Sequence, residues 1–141
     1  MKKLSKNFII DSYDYKLIGL VSSCKEYKLG WIINDIFHTS LKKQENDLIS
    51  LINKKSVEVS FLKSTENKKF LKLISNKLQN KTVNSHLIPS LSHFDYLLQF
   101  SLDFFDFDND EIINKLKSHN LIQFANFVDI KIIKEKYFLY V

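Results

Sequence analysis

Between Tyr15 and Phe37 the apolar residues change period, and that change dictates a strand laid against a helix. Tyr15-Lys16-Leu17-Ile18-Gly19-Leu20-Val21 is a short, mostly apolar run of the kind that lies on a core as a β-strand. Leu29, Ile32, Ile33, Ile36 and Phe37 instead recur at i, i+3, i+4, i+7 and i+8, a single apolar stripe on a helix. Ser23 stands three residues before Glu26, the spacing at which a hydroxyl and a carboxylate cap a first turn reciprocally. The helix is therefore expected to begin there. Gly30 weakens it by roughly 1 kcal/mol relative to alanine and leaves room for a neighbouring element to approach closely.

Further along, Asp47-Leu48-Ile49-Ser50-Leu51-Ile52 fits a strand or a short helix, and the strand is the preferred reading. Val57, Val59 and Phe61 alternate with Glu58 and Ser60, then the polar Ser64 to Lys68 precedes the apolar run Phe70 to Ile74, a pattern that predicts a β-hairpin. Residues 76–92 read as a long irregular connection, the kind that is usually functional or mobile. Asp95 to Leu102 resumes the sheet. Asp108 and Glu111 repeat the capping spacing ahead of Ile112, Ile113 and Leu116, with Asn120 as the expected stop. Ile122 to Val128 reads as a strand, giving a β-α-β unit over about 95–128. The fold class is therefore α+β, a mainly antiparallel sheet with two principal helices on one face. One domain is expected over 1–141, with 1–10 and 136–141 as loosely ordered ends.

Composition narrows the chemistry. Cys24 is the sole cysteine, which excludes an intrachain disulfide and a multi-thiolate zinc site and makes a reducing, cytoplasmic location the default. Lys6, Asn7 and Asp11 interrupt any export-signal apolar core, and no apolar run approaches the ~18 residues of a membrane span. The formal net charge of +5 comes from lysine alone, since arginine is absent. Ala125 is the only alanine, and together with abundant Asn, Ile and Phe this suggests drift toward AT-rich codons.

Eight lysines between Asn53 and Lys81, against Glu58 and Glu66, give that segment a net +6. Lys54, Lys55, Lys63, Lys68, Lys69 and Lys72 could track a phosphate backbone while Phe61 or Phe70 stacks on a base. The plainer reading makes them a solvated face that protects a sheet edge. Asp106-Phe107-Asp108-Asn109-Asp110 begins like a calcium-binding loop, but Glu111 stands where the turn glycine belongs and Lys117 where the bidentate acid belongs. Capping explains those acids better. His86 and His93 flank the proline with Asp95 nearby, yet no histidines pair at i, i+3 or i+4. Cys24 reads as a small buried residue rather than a nucleophile, and neither Gly19 nor Gly30 lies in a phosphate-loop pattern. No catalytic residue, metal site or cofactor is assigned.

Pro89 should hold Ile88 extended and carry Leu87-Ile88-Pro89 across the surface or edge of the sheet. Asp95 is placed to cap backbone amides, and Tyr96 to bury its ring with the hydroxyl bonded at the rim. Ile88, Pro89, Asp95 and Tyr96 also carry a resemblance to the signature of the IPExxxVDY family, small proteins of Bacteroidota. The strand with Leu17-Ile18-Gly19, the serines Ser22 and Ser23, and the helix with Trp31 are similar to that family's opening, so the resemblance covers roughly 10–135. Ser90 stands in place of the signature glutamate and Phe94 in place of its valine. The resemblance implies no assigned biochemical activity, and genes near ribonuclease III and lipid-synthesis genes slightly favour an RNA-linked role.

These readings converge on a non-catalytic, cytoplasmic accessory protein that binds a protein partner through the 86–93 loop and the apolar tail Tyr137 to Val141. An RNA-binding module built on the lysine-rich hairpin 53–81 is the alternative.

Overall fold

The computed structural model describes residues 14–50, 56–78 and 85–133. The two ends expected to be loosely ordered, the tail aromatics, and Leu51, Ile52, Lys54, Lys55 and Lys81 all lie outside the described residues. No helix among the described residues is long and apolar enough to cross a membrane.

Strand β1 (Tyr15–Val21) leads into helix α1 (Glu26–Phe37), followed by β2 (Lys42–Lys43), β3 (Asp47–Ser50), β4 (Ser56–Val59), β5 (Phe61–Glu66) and β6 (Lys69–Ser75). Then come β7 (Lys77–Leu78), β8 (Ser85–His86), a 3-10 turn at Pro89–Leu91, β9 (Tyr96–Ser101), helix α2 (Asn109–Lys117), β10 (Phe124–Phe127) and a second 3-10 turn at Ile130–Ile132. Six strands form one antiparallel sheet in the order β10-β1-β9-β6-β5-β2. The α+β architecture follows the apolar periods.

Both helices pack on one face. Leu29, Ile32, Ile33 and Phe37 of α1 and Ile112 and Leu116 of α2 meet Ile18, Leu20, Leu71, Leu73, Leu98 and Phe100 of the sheet. Leu29 and Ile33 have no exposure, and burial of each contributes roughly 2 kcal/mol. The opposite face is covered too, by Leu87, Ile88, Leu91 and Phe94 with Ile130 and Ile133, against Leu17, Ile74 and Leu97. Burial on both sides is why β1 reads as a nearly continuous apolar run.

Several expectations change in detail. Glu26 does not cap its own helix, its carboxylate being taken by the Ser60 and Ser75 hydroxyls, and the N-cap is Lys25, in extended backbone, whose ammonium has no acceptor to offer the first-turn amides. The Asp108 cap does form, its Oδ1 accepting the Glu111 N–H at 2.8 Å. Helix α2 stops at Lys117 rather than Asn120, since the Ser118 hydroxyl donates to the Lys115 carbonyl and closes the last turn. The hairpin joins β5 to β6 through Asn67 and Lys68, with φ of 49° and 68°, the two left-handed positions of a tight turn that suits strand twist. The Val57–Phe61 alternation is split at Ser60, and β4 pairs with β3 in a separate ribbon. Strands β9 and β10 are mutually parallel as a β-α-β unit requires, but β1 is inserted between them.

Of its two expected courses, the proline segment takes the face. It crosses the sheet face opposite the helices rather than the edge, with Leu87, Ile88, Leu91 and Phe94 buried and Pro89 and Ser90 exposed. Ile88 is extended, at φ −118° and ψ 96°, and its bond to Pro89 is trans. What had read as irregular chain before it contains the β7–β8 ribbon. Packing is tight beneath Phe94: a Cβ at Gly19 would lie 2.5 Å from three atoms of that ring. At Gly30 a Cβ would be crowded by the Leu62 Cδ2 methyl alone, at 2.8 Å, the rotatable end of a side chain whose Cγ stands at an ordinary 3.9 Å.

Gly19→Ala is therefore expected to cost about 1–3 kcal/mol in urea unfolding through overpacking. Gly30→Ala should fall within about 1 kcal/mol of zero, because its clash is offset by better helix propensity. Equal losses at the two positions would contradict this packing.

Candidate functional site

The end of β1, the start of α1, the end of β6 and the start of β9 meet around an open cleft of about 910 Å³. Its floor is a polar network drawn from distant parts of the chain. The Glu26 carboxylate, 15% exposed, accepts from the Ser60 hydroxyl at 2.9 Å and the Ser75 hydroxyl at 2.7 Å, and Lys43 Nζ lies 3.5 Å away. The Asp95 carboxylate accepts the Ser22 N–H at 2.9 Å and lies 3.6 Å from Lys77 Nζ. Ser22 donates its hydroxyl to the Leu121 carbonyl and accepts the Cys24 N–H. Each acid thus fastens one element to another.

Tyr96 lies between them, its O–H donating to the Cys24 carbonyl at 2.6 Å. Burial, with the negative charges of Glu26 and Asp95 and the Cys24 thiol adding to it, pushes the phenol up to about 12. It therefore stays protonated and acts as a donor. The Ser60 and Ser75 hydroxyls share one carboxylate, and the acids and the phenol each tie one chain segment to another. The cleft can present shape, amides and three lysines, Lys25, Lys43 and Lys77, to a ligand.

At its rim the character changes. Tyr27 lines the cleft and Trp31 follows one helical turn later, their rings edge to face with centroids 6.1 Å apart. Tyr27 is 59% exposed and Trp31 71%. They occupy the side of α1 away from its buried stripe.

The residues singled out in sequence are dispersed. Asp95 and Tyr96 enter the cleft, Tyr96 with its hydroxyl bonded to the Cys24 carbonyl and Asp95 accepting the amide of Ser22, just past the end of β1, rather than an amide at the start of its own strand. Ile88 is fully buried and Pro89 lies on the surface of the opposite sheet face. His93 packs on Phe94 at 4.1 Å, and Asp95 turns away from it toward Ser22 and Lys77. Lys63 and Lys72 are directly opposed across β5 and β6, and Lys42 continues the row on β2. Lys72 is only 4% exposed, with its Nζ 5.0 Å from the Phe61 ring, while Lys63 lies 6.0 Å from that of Phe70. Lys68 forms the hairpin turn, and Lys69 donates to the Asp103 carbonyl. Of the lysines singled out, Lys63 and Lys72 thus lie on a sheet face and Lys68 and Lys69 at a hairpin tip.

Glu26, Ser60, Ser75 and Lys43 had no signature as a group, because their sequence separations reach 49 residues. Tyr27 and Trp31 did have one, two aromatics at i and i+4 off the apolar stripe. A comparison with models of known protein families gives no match, and neither does a comparison with curated proteins.

Tyr96→Phe should remove one hydrogen bond and leave the Cys24 carbonyl unpaired, costing about 1 kcal/mol near neutral pH. The folded phenol binds its proton more tightly than the unfolded one, so its contribution is complete below the unfolded value near 10 and is lost as pH rises toward about 12. The difference between wild type and Tyr96→Phe in chemical unfolding should therefore shrink across that window. A difference that stays constant or grows would contradict the assignment.

Proposed function

We propose that this chain is a non-catalytic, cytoplasmic accessory protein that binds a protein partner, with Tyr27, Trp31 and the adjoining cleft as the contact face. The observation that carries this reading is the aromatic pair. Large rings held in water lose hydration cost when a partner covers them, and Trp and Tyr are the residue types that most often dominate interface energy. The engaged state of Glu26, Asp95 and Tyr96 supports a binding role over catalysis. The 86–93 loop contributes little to this face, since Leu87, Ile88 and Leu91 are buried and its exposed side chains are the small Pro89, Ser90 and Ser92 with His93. Membership of the IPExxxVDY family is proposed on the residues that resemble its signature, and it adds no activity.

Trp31→Ala is expected to leave folding stability within about 0.5 kcal/mol of wild type, as for an exposed residue, while weakening partner binding by 2 kcal/mol or more, roughly thirtyfold. Quantitative affinity capture followed by mass spectrometry reads this directly. A partner retained equally by wild type and Trp31→Ala would overturn the assignment of the face.

A second reading, an RNA-binding module, has the cross-strand row Lys42-Lys63-Lys72 beside Phe61 and Phe70 in its favour. Like charges directly opposed destabilise a sheet, and a phosphate strand would neutralise them. Burial of Lys72 leaves Lys42 and Lys63 as the contacts. Affinity for single-stranded RNA should then fall linearly with log salt, and joint Lys42→Glu and Lys63→Glu should weaken it at least tenfold. Unchanged affinity would remove this reading.

A further inference from the structure

The exposed side of α1 is nearly self-complementary about Trp31. Lys28 lies three residues before it and Asp35 four residues after, both exposed and neither in an ion pair among the described residues. At a rise of 1.5 Å per residue they stand about 4.5 Å and 6.0 Å from Trp31 along the axis, on opposite sides of it. At 100° per residue they lie about 60° and 40° around the helix in the same rotational direction from Trp31. Both therefore fall on the same lateral flank.

A two-fold axis perpendicular to the helix at Trp31 would pair α1 with an antiparallel copy. It reverses direction along the helix while preserving the flank, so Lys28 of each copy would meet Asp35 of the other. Two equivalent ion pairs would enclose the two Trp31 rings. Tyr27 would lie on the other flank, against Asn34. This is an isologous contact, the arrangement a two-fold dimer requires.

Resting on the partner-binding reading above, we infer that the partner covering Tyr27 and Trp31 is a second copy of this chain, docked antiparallel through α1 with Trp31 on the two-fold axis. The contact has an aromatic centre and a charged margin whose signs alternate. Although each chain carries a net +5, Lys28 and Asp35 balance one another on this face. The two crossed ion pairs therefore offset like-charge repulsion where the copies meet.

Trp31 is the sole tryptophan, so its emission reports on the contact without labelling. Over a dilution series of the full chain, the emission should shift to shorter wavelength as concentration rises, in step with doubling of the mass in sedimentation equilibrium. Asp35→Lys sets cations against each other and should weaken association at least tenfold, with circular dichroism unchanged. Lys28→Asp combined with Asp35→Lys restores opposite signs and should recover most of the loss.

A monomer at every concentration, with exposed-type emission throughout, would overturn the inference. The partner-binding reading would stand in that case if Trp31→Ala still abolished capture of another protein. A dimer indifferent to the charge swap would overturn the antiparallel pairing, and a dimer indifferent to Trp31→Ala would overturn the assignment of this face to self-association.

Discussion

Asn76 is fully buried in the connection between β6 and β7, and the hydrogen bonds of both its backbone and its side chain run to the proline segment. Its N–H donates to the Asp95 carbonyl at 3.0 Å, and its carbonyl accepts the Leu87 N–H. Its side-chain amide donates to the Leu91 and Phe94 carbonyls, both at 2.9 Å, and its Oδ1 accepts the Ile88 N–H at 2.9 Å. The backbone that turns across the sheet face bonds itself through the Leu91, Ser92 and Phe94 amides, which leaves the Leu87 and Ile88 amides and the Phe94 carbonyl to be paired from outside. Asn76 pairs all three. Leaving a buried polar group unpaired costs about 1–3 kcal/mol, so the seat of Leu87 to Phe94 on the sheet depends on this residue.

From that clasp the rest of the site follows. With its carbonyl held by Asn76, Phe94 presses onto β1 where only Gly19 leaves space, and the chain leaves toward β9 at a set angle. Asp95 then meets the Ser22 amide, and Tyr96 reaches the Cys24 carbonyl just ahead of α1. Glu26 completes the frame by fastening the start of α1 to Ser60 and Ser75 on the far side of the cleft. Four separate chain segments are thus tied at one end of the sheet through directional bonds rather than apolar packing. Such a frame sets where the cleft and the first turn of α1 point.

The parts of this architecture legible in sequence are those whose information is local. The period change from β1 to α1, the apolar run of β6 and the Asp108 cap each depend on residues within about two turns or one strand of one another. The side to which the proline segment turns is not local information. Leu87, Ile88, Leu91 and Phe94 could cover a face or present one, and the choice rests on Asn76, which reads as an ordinary loop asparagine. Glu26 shows the same limit. Its spacing from Ser23 satisfies a capping box, but two hydroxyls and an ammonium brought near by the sheet compete for the carboxylate and win. The inserted position of β1 between β9 and β10 likewise reflects long-range pairing, which strand patterns cannot encode.

Helix α1 shows how folding and recognition divide one element. Its buried side, Leu29, Ile32, Ile33 and Phe37 with Gly30 against Leu62, accounts for its attachment to the sheet. Its outer side makes no demand that Tyr27 or Trp31 meets: aromatic residues are poorer helix formers than lysine, glutamate or alanine, and their rings touch each other rather than the core. Exposed singly, such residues would be unremarkable surface. Exposed as an edge-to-face pair beside a cleft, on an element whose start is tied down by Glu26 and Tyr96, they form an apolar surface with little conformational freedom to lose on contact. Preorganisation of that kind lowers the entropic cost of association, which is the physical reason to place recognition on α1 rather than on the polar tip of the proline segment.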